Sequence, residues 1–269
     1  MSSSSLTLPA PGQAAGRNRR LLEILGGASI AATYIFLVLT QPSDITNGLS
    51  SGSTLLALSG FLIGVVLLIA GILPTLPTST LVLIPVALVL NIVLGQFVGS
   101  TLVPFYLDSI GTVLIAVLAG PAAGAATGAL SGIVWSLFNP TVLPFAAGAA
   151  LIGFLAGTAA RYGLFRRFYL APVAGFITGI AAGIFSAPIA AFVYGGTSGV
   201  ATGAIVGAFR AMGDSLLSAI TKQALLSDPM DKAIVFTVVA LLVYALPRRT
   251  TVQFPFVRRH RVLAGSAAA

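Results

Sequence analysis

The sequence predicts an all-α fold, a polytopic membrane helix bundle in which a six-helix core is preceded by two further transmembrane helices. Three observations predict it. Of the 269 residues 57% are apolar and only 7% charged, where soluble proteins carry about 25% charged residues; there is too little polar surface to coat a water-exposed globule. The apolar residues fall into runs close to the roughly 20 residues a helix needs to cross about 30 Å of hydrocarbon. Within those runs glycine recurs at a spacing of four, the pattern that lets helix backbones approach closely in lipid.

Residues 1–20, a Ser run followed by Pro, Gly and Arg without apolar period, read as a disordered cytoplasmic tail. The first span, 21–40, follows three arginines as a signal peptide would. It is too long for one, and Gln41 and Pro42 stand where small cleavage-site residues belong. The second span, 54–73, ends in the turn Pro74-Thr75-Leu76-Pro77, so that 21–75 holds two additional helices; the third is 80–98. From 102 to 138 only Asp108 interrupts the apolar and small residues, a stretch too long for one span and right for two. Gly120-Pro121 is the fold-back, since Gly closes a helix and Pro suits a first turn, and the spans become 105–119 and 121–138.

Asn139-Pro140 closes the fifth span, the sixth is 142–160, and the seventh, 169–194, is long enough to tilt and carries Pro188 as a kink site. After a Gly-rich turn at 195–199, the segment 200–226 is helical in pattern but holds Arg210, Asp214 and Lys222. A charge at the bilayer centre costs about 2.5–3.5 kcal/mol, which places this segment on the outer surface or in a shallow dip. The last span is then 232–246, the core 80–249, and 250–269 a basic cytoplasmic tail.

The formal charge of +8 acquires meaning from its location. Arg17, Arg19 and Arg20 precede the first span, Arg161, Arg166 and Arg167 separate the sixth and seventh, and Arg248, Arg249, Arg258, Arg259 and Arg261 follow the last. Eight spans put all eleven on the cytoplasmic side of the cell membrane, as the positive-inside rule requires, and leave Asp44, Asp108, Asp214, Asp228 and Asp231 at the outer face. No basic stripe interleaved with aromatics exists, which excludes a nucleic-acid partner. Cysteine is absent, no phosphate-binding Gly-x-x-x-x-Gly-Lys loop is present, and the single histidine, His260, lies in the basic tail. No catalytic residue, metal site or cofactor is expected, and the chain does not read as an enzyme.

Glycine ladders are the most specific packing feature: Gly120, Gly124, Gly128 and Gly132; Gly153 and Gly157; Gly175, Gly179 and Gly183; and Gly199, Gly203 and Gly207, continued by Ala211 and Ser215. They predict tight helix pairs. Asp108 either caps a helix N-terminus or contacts a ligand, because ionisable residues at membrane depth mark sites. Arg210 and Asp214, four apart, either neutralise each other on one helix or belong to a lid over the outer mouth. Tyr106, Trp135, Asn139 and Tyr194 converge on the outer half of the bundle, the Trp and Tyr rings as interfacial anchors or ligand stackers. Asn91, deeper, is helix glue or a ligand donor. Asp108 ranks above Asp228 as the carboxylate of a site.

The order of these parts resembles the substrate-binding S component of energy-coupling-factor (ECF) vitamin transporters. The likeness runs from Thr80 to Arg249. It rests on Leu90-Asn91-Ile92-Val93-Leu94-Gly95-Gln96, then Pro104-Phe105-Tyr106-Leu107-Asp108-Ser109-Ile110-Gly111-Thr112, then Leu118-Ala119-Gly120-Pro121-Ala122-Ala123-Gly124. A Gly-Gly turn follows, and Asp231-Lys232 leads into a helix closed by Leu246-Pro247-Arg248-Arg249. The resemblance implies a six-helix core with both termini cytoplasmic and an outward-facing pocket for a vitamin or similar small nutrient. It implies pocket-forming regions around Tyr106 and Asp108, at Trp135 and Asn139, and from Tyr194 to Asp214. It also implies partners, a membrane coupling (T) subunit and two ABC ATPases, with release of cargo by toppling in the membrane.

Two features depart from that pattern. The family's Ala-x-x-x-Ala contact motif on the first core helix is replaced by Ala87-Leu88-Val89-Leu90-Asn91, and the two N-terminal spans have no counterpart. A membrane-embedded ligand sensor or structural subunit without transport is the alternative reading. A self-sufficient secondary transporter is disfavoured by the shortage of buried carboxylates and of an inverted repeat.

Overall fold

A computed structural model describes residues 11–41, 52–196 and 199–263. Among these residues all regular structure is helical and there is no strand. The helices are α1 (Pro11–Thr40), α2 (Gly52–Ile72), α3 (Thr78–Gly99), α4 (Ile110–Ala119), α5 (Pro121–Ser136), α6 (Ala146–Arg161), α7 (Leu170–Ile189), α8 (Val200–Ala211), α9 (Leu216–Ala245), α10 (Arg248–Val252) and α11 (Pro255–His260). Five helical segments are long and apolar enough to cross a membrane: Gly16–Thr40, Gly52–Thr75, Thr78–Gly99, Pro140–Arg161 and Leu170–Tyr194. The chain is thus a helical, multi-pass membrane protein in its gross architecture.

Three of the four glycine ladders lie in helix interfaces. A Cβ on Gly128 would overlap the carbonyl of Ala149, one on Gly153 the carbonyl of Gly124, and one on Gly132 would stand 2.5 Å from the Cβ of Ala146. These contacts pair α5 with α6 backbone to backbone. Along α7, Gly175 faces Lys232, Gly179 faces Asp228 and Pro229, and Gly183 faces Ala224, which sets α9 antiparallel to α7. The fourth ladder does not pack as a stripe. Gly199 abuts Tyr106 and Thr202, but Gly207 faces open space, and the chain turns at Gly213, whose φ of 96° suits glycine.

Several expected boundaries differ. Residues 11–20, expected within a disordered tail, continue α1, because nothing in Gln13-Ala14-Ala15 or the arginine-rich turn breaks a helix that the apolar run propagates; residues 1–10 lie outside the described residues, as does Asp44. The tail at 250–269 is structured as far as Leu263, with Phe254, Val257 and Val262 buried in the main core. The segment 200–226 is not one element. Helix α8 stops at Met212, and Ser215, whose hydroxyl accepts from the Ser218 N–H, caps a 30-residue α9 that runs on through Pro229. The span expected at 232–246 is the second half of that helix, and Asp228 and Asp231 sit midway along it rather than at a surface.

The two N-terminal helices form a close hairpin. Gly26 faces the Gly64 carbonyl and Leu68, and the Ser29 hydroxyl donates to the Gly60 carbonyl at 2.9 Å. Phe61 and Val65 of α2 share a core with Ala129, Ala146, Ala150 and Ile189, and the Tyr34 ring stacks on Phe185 with centroids 4.8 Å apart. At one end of the bundle Glu23 shares a groove with Pro121 and Ala122, Gly120 abuts Phe256, and the Arg166 guanidinium donates to the carbonyls of His260 and Arg261. The three arginine groups of the sequence therefore gather at a single end.

The packing makes a prediction. Gly128→Val forces α5 and α6 apart and should cost about 1–3 kcal/mol, the usual penalty of overpacking, seen as a lower unfolding temperature in detergent. Gly207→Ala, with open space around its Cβ, should leave that temperature unchanged or raise it.

Candidate functional site

The site is built around a descent of the chain into the bundle. Helix α4 has ten residues and rises about 15 Å, half of a bilayer's hydrocarbon thickness. Its first turn lies beside the middle of α3: Gly111 packs on Ala87, and Asp108 lies against Gly95. Asn91 is eight residues before the end of α3, a drop of about 12 Å. The stretch 100–109 must therefore dip from the end of α3 to the interior without helical hydrogen bonds. The expectation of a full span at 105–119 is corrected accordingly: Leu107 is held at a φ of 52°, outside the helical range, and the first residues of that span are loop.

Backbone without regular structure persists at membrane depth only where its polar groups find partners in the protein. Here the partners come from other helices. Asp231 of α9, 2% exposed, accepts the Tyr106 and Leu107 N–H groups on Oδ1 at 3.2 and 2.9 Å. Its Oδ2 pairs with the Lys232 ammonium, which reaches on to Asp108 Oδ1 at 3.0 Å. Asn91, fully buried, performs the second task. Its Oδ1 accepts the Gly111 and Thr112 N–H groups at the start of α4, at 2.8 and 3.3 Å, and its Nδ2 donates to the Thr112 and Ser131 hydroxyls. The cap of α4 is thus supplied across a helix interface; Asp108 makes no cap bond, and its carboxylate is turned to Lys232.

Between the dipping loop, the ends of α3 and α5, and the flanks of α6, α7 and α9 lies a cavity of about 370 Å³. That volume is within the range of small-molecule sites. Its wall combines the aromatic rings of Trp135 and Tyr106 with Asp108, Ser109, Asp228 and Lys232. The Tyr106 hydroxyl also hydrogen-bonds Thr202 at 3.0 Å, which ties the loop to α8.

Of the residues expected at a site, Tyr106, Asp108, Trp135 and Asn139 line this cavity. Asn139 also caps the short helical turn Pro140–Phe145, accepting from the Thr141 N–H and hydroxyl. Tyr194 stands one layer back, its ring stacked on Phe145 and its hydroxyl donating to the Pro140 carbonyl. Asn91 lies behind the cavity as glue. Arg210 and Asp214 do not pair side chain to side chain and do not reach the cavity. Helix α8 ends between them, Arg210 donates to the Asp214 backbone carbonyl, and the Asp214 carboxylate binds Lys222 at 2.7 Å. That hydrogen bond from Lys222 holds the Asp214 carboxyl below its ordinary value.

The sequence reading missed Lys232, Asp228 and Ser109 as lining residues. Asp228, Asp231 and Lys232 stand three and four apart, a helical face; Pro229 hid the continuity of that helix. Asp108 and Asp228, ranked apart in the sequence, both line the cavity. Compared with protein-family models, curated proteins and solved structures, the chain matches none.

Two outcomes test this architecture. Asp231→Ala removes the acceptor shared by two loop N–H groups and one carboxylate of a buried ion pair, and should cost about 3–5 kcal/mol, measured by unfolding of the purified protein. Asn91→Ala should cost about 1–3 kcal/mol for each N–H it orphans by the same measurement, whereas Asp214→Asn should leave unfolding near that of the wild type.

Proposed function

We propose that the chain is the substrate-binding S component of an ECF-type ABC importer in the cell membrane. It captures a vitamin or similar small nutrient, and a coupling subunit with two ABC ATPases drives the uptake. The observation that carries this reading is the cavity beneath the dipping loop. It lies between that loop and residues midway along α9, and it joins aromatic surface to fixed charge, the combination by which small polar nutrients are held. The order of sequence motifs supports it as well: Gly95 and Gln96, at the end of the stretch from Leu90 to Gln96, and Tyr106, Asp108 and Ser109, within that from Pro104 to Thr112, line the same cavity.

In this reading the arginine-rich end faces the cytoplasm with both termini, and the cavity opens outward through the region bounded by Asn139 and Gly199. Capture is binding chemistry alone. Ser109 and the charged groups recognise the nutrient, Trp135 and Tyr106 cover its apolar surface, and hydrolysis of ATP takes place on the partners. Ala87, in the register of the family's contact motif, is buried against Gly111. The side of α3 left for a coupling subunit is the exposed row Val82, Val86, Val89, Val93 and Phe97.

Affinity purification of the tagged chain from its native membrane tests the proposal. A coupling subunit and ATPases should be recovered with it, and a small molecule should be released on denaturation. Repeated recovery of the chain with a retained small molecule but without ATPases would instead favour a ligand sensor, to which the docked α1–α2 hairpin would belong.

A further inference from the structure

We infer that the cavity takes a small organic cation, an ammonium or amidinium group carried on a flat or apolar body. The inference deepens the proposed function and rests on the cavity being a ligand site.

Three carboxylates, Asp108, Asp228 and Asp231, line the cavity against one ammonium, that of Lys232. Asp231 is fully used by the loop N–H groups and by Lys232. Asp108 has one oxygen on Lys232 and the other without a partner among the described residues. Asp228 receives only the Ser227 hydroxyl, at 3.2 Å. The Oδ2 atoms of Asp108 and Asp228 thus accept no hydrogen bond from the described residues. Asp108, its side chain 34% exposed, already shares the Lys232 ammonium with Asp231, so the cavity holds more carboxylate than ammonium, and a cation placed between Asp108 and Asp228 balances the excess.

An independent observation marks the same place. The Ser109 hydroxyl is buried, 2% exposed, lines the cavity, and has no hydrogen-bond partner. Buried hydroxyls are normally satisfied, and this one, adjacent in sequence to Asp108, is completed by a polar group of the occupant. An anion finds little here. The N–H groups of Gly111 and Thr112 at the start of α4 are taken by Asn91, and Lys232 already serves two carboxylates. The described residues also bring no three Asp, Glu, His or Cys side chains into a metal-holding cluster, which favours an organic cation over a metal ion. Trp135, the chain's only tryptophan, lines the cavity and supplies the aromatic surface against which a cation or its body packs.

That single tryptophan is also the reporter. The purified full-length protein would be titrated with three matched probes, phenethylammonium, phenylacetate and 2-phenylethanol, while Trp135 fluorescence is followed. The ammonium should change the signal saturably and bind about tenfold more tightly than the alcohol or the acid, the worth of one added charge-assisted hydrogen bond. Asp108→Asn and Asp228→Asn should each remove that preference. Ser109→Ala should weaken the ammonium about threefold with no loss of thermal stability, because it deletes a hydroxyl that no protein group satisfies. Equal binding of all three probes, or tighter binding of the acid, would overturn the cation assignment and leave a capture cavity of other chemistry. No saturable change with any probe, in protein that unfolds as cooperatively as expected, would overturn both the assignment and the capture reading.

Discussion

The contact on which the rest of this structure depends is the one between Asp231 and the backbone of Tyr106 and Leu107. A chain that leaves helical structure inside a bilayer must find acceptors for its N–H groups, and water is not available to provide them. One carboxylate oxygen meets two of those groups, and the other oxygen is neutralised by Lys232. Because Lys232 also holds Asp108, the loop is fastened to α9 at its backbone and at a side chain. Without that fastening the loop would have to leave the interior, and the cavity would lose one wall.

Asn91 solves the complementary problem at the other end of the descent. A half-length helix begins in the interior, where its first N–H groups are as costly as those of the loop. An amide offers an acceptor for them and donors for Thr112 and Ser131, without the desolvation cost of a charge. Asp231 and Asn91 thus divide the work by chemistry. A charged group serves where an ammonium can balance it, and a neutral one serves where only hydroxyls are near.

Glycine packing sets the dimensions within which these groups can meet. Gly175 and Gly179 bring α7 against the backbone of α9 at Lys232 and Asp228, with the Asp228 carboxylate beside Gly183, while the Asp231 and Lys232 side chains reach the loop. Gly124, Gly128 and Gly153 draw α5 and α6 together in the same way, and the space left between the two tight pairs is the cavity. The N-terminal hairpin adds a further layer through Phe61, Val65 and Tyr34 and takes no part in that cavity's wall.

The sequence by itself determined the helical membrane class, the helix-packing stripes and the location of basic residues, because each depends on local composition and on the period of a helix. It also marked Tyr106, Asp108, Trp135 and Asn139, which stand out as polar or aromatic groups beside apolar runs. Only the tertiary structure decided that α4 is half a span, that α9 continues through Pro229, and that Asp228, Asp231 and Lys232 belong inside. Those outcomes turn on partners distant in sequence, about 20 residues away for Asn91 and more than a hundred for Asp231 and Lys232. A charge is excluded from a membrane helix or welcomed there according to what faces it, and the Tyr106 and Leu107 N–H groups that Asp231 accepts carry no mark in a one-dimensional pattern.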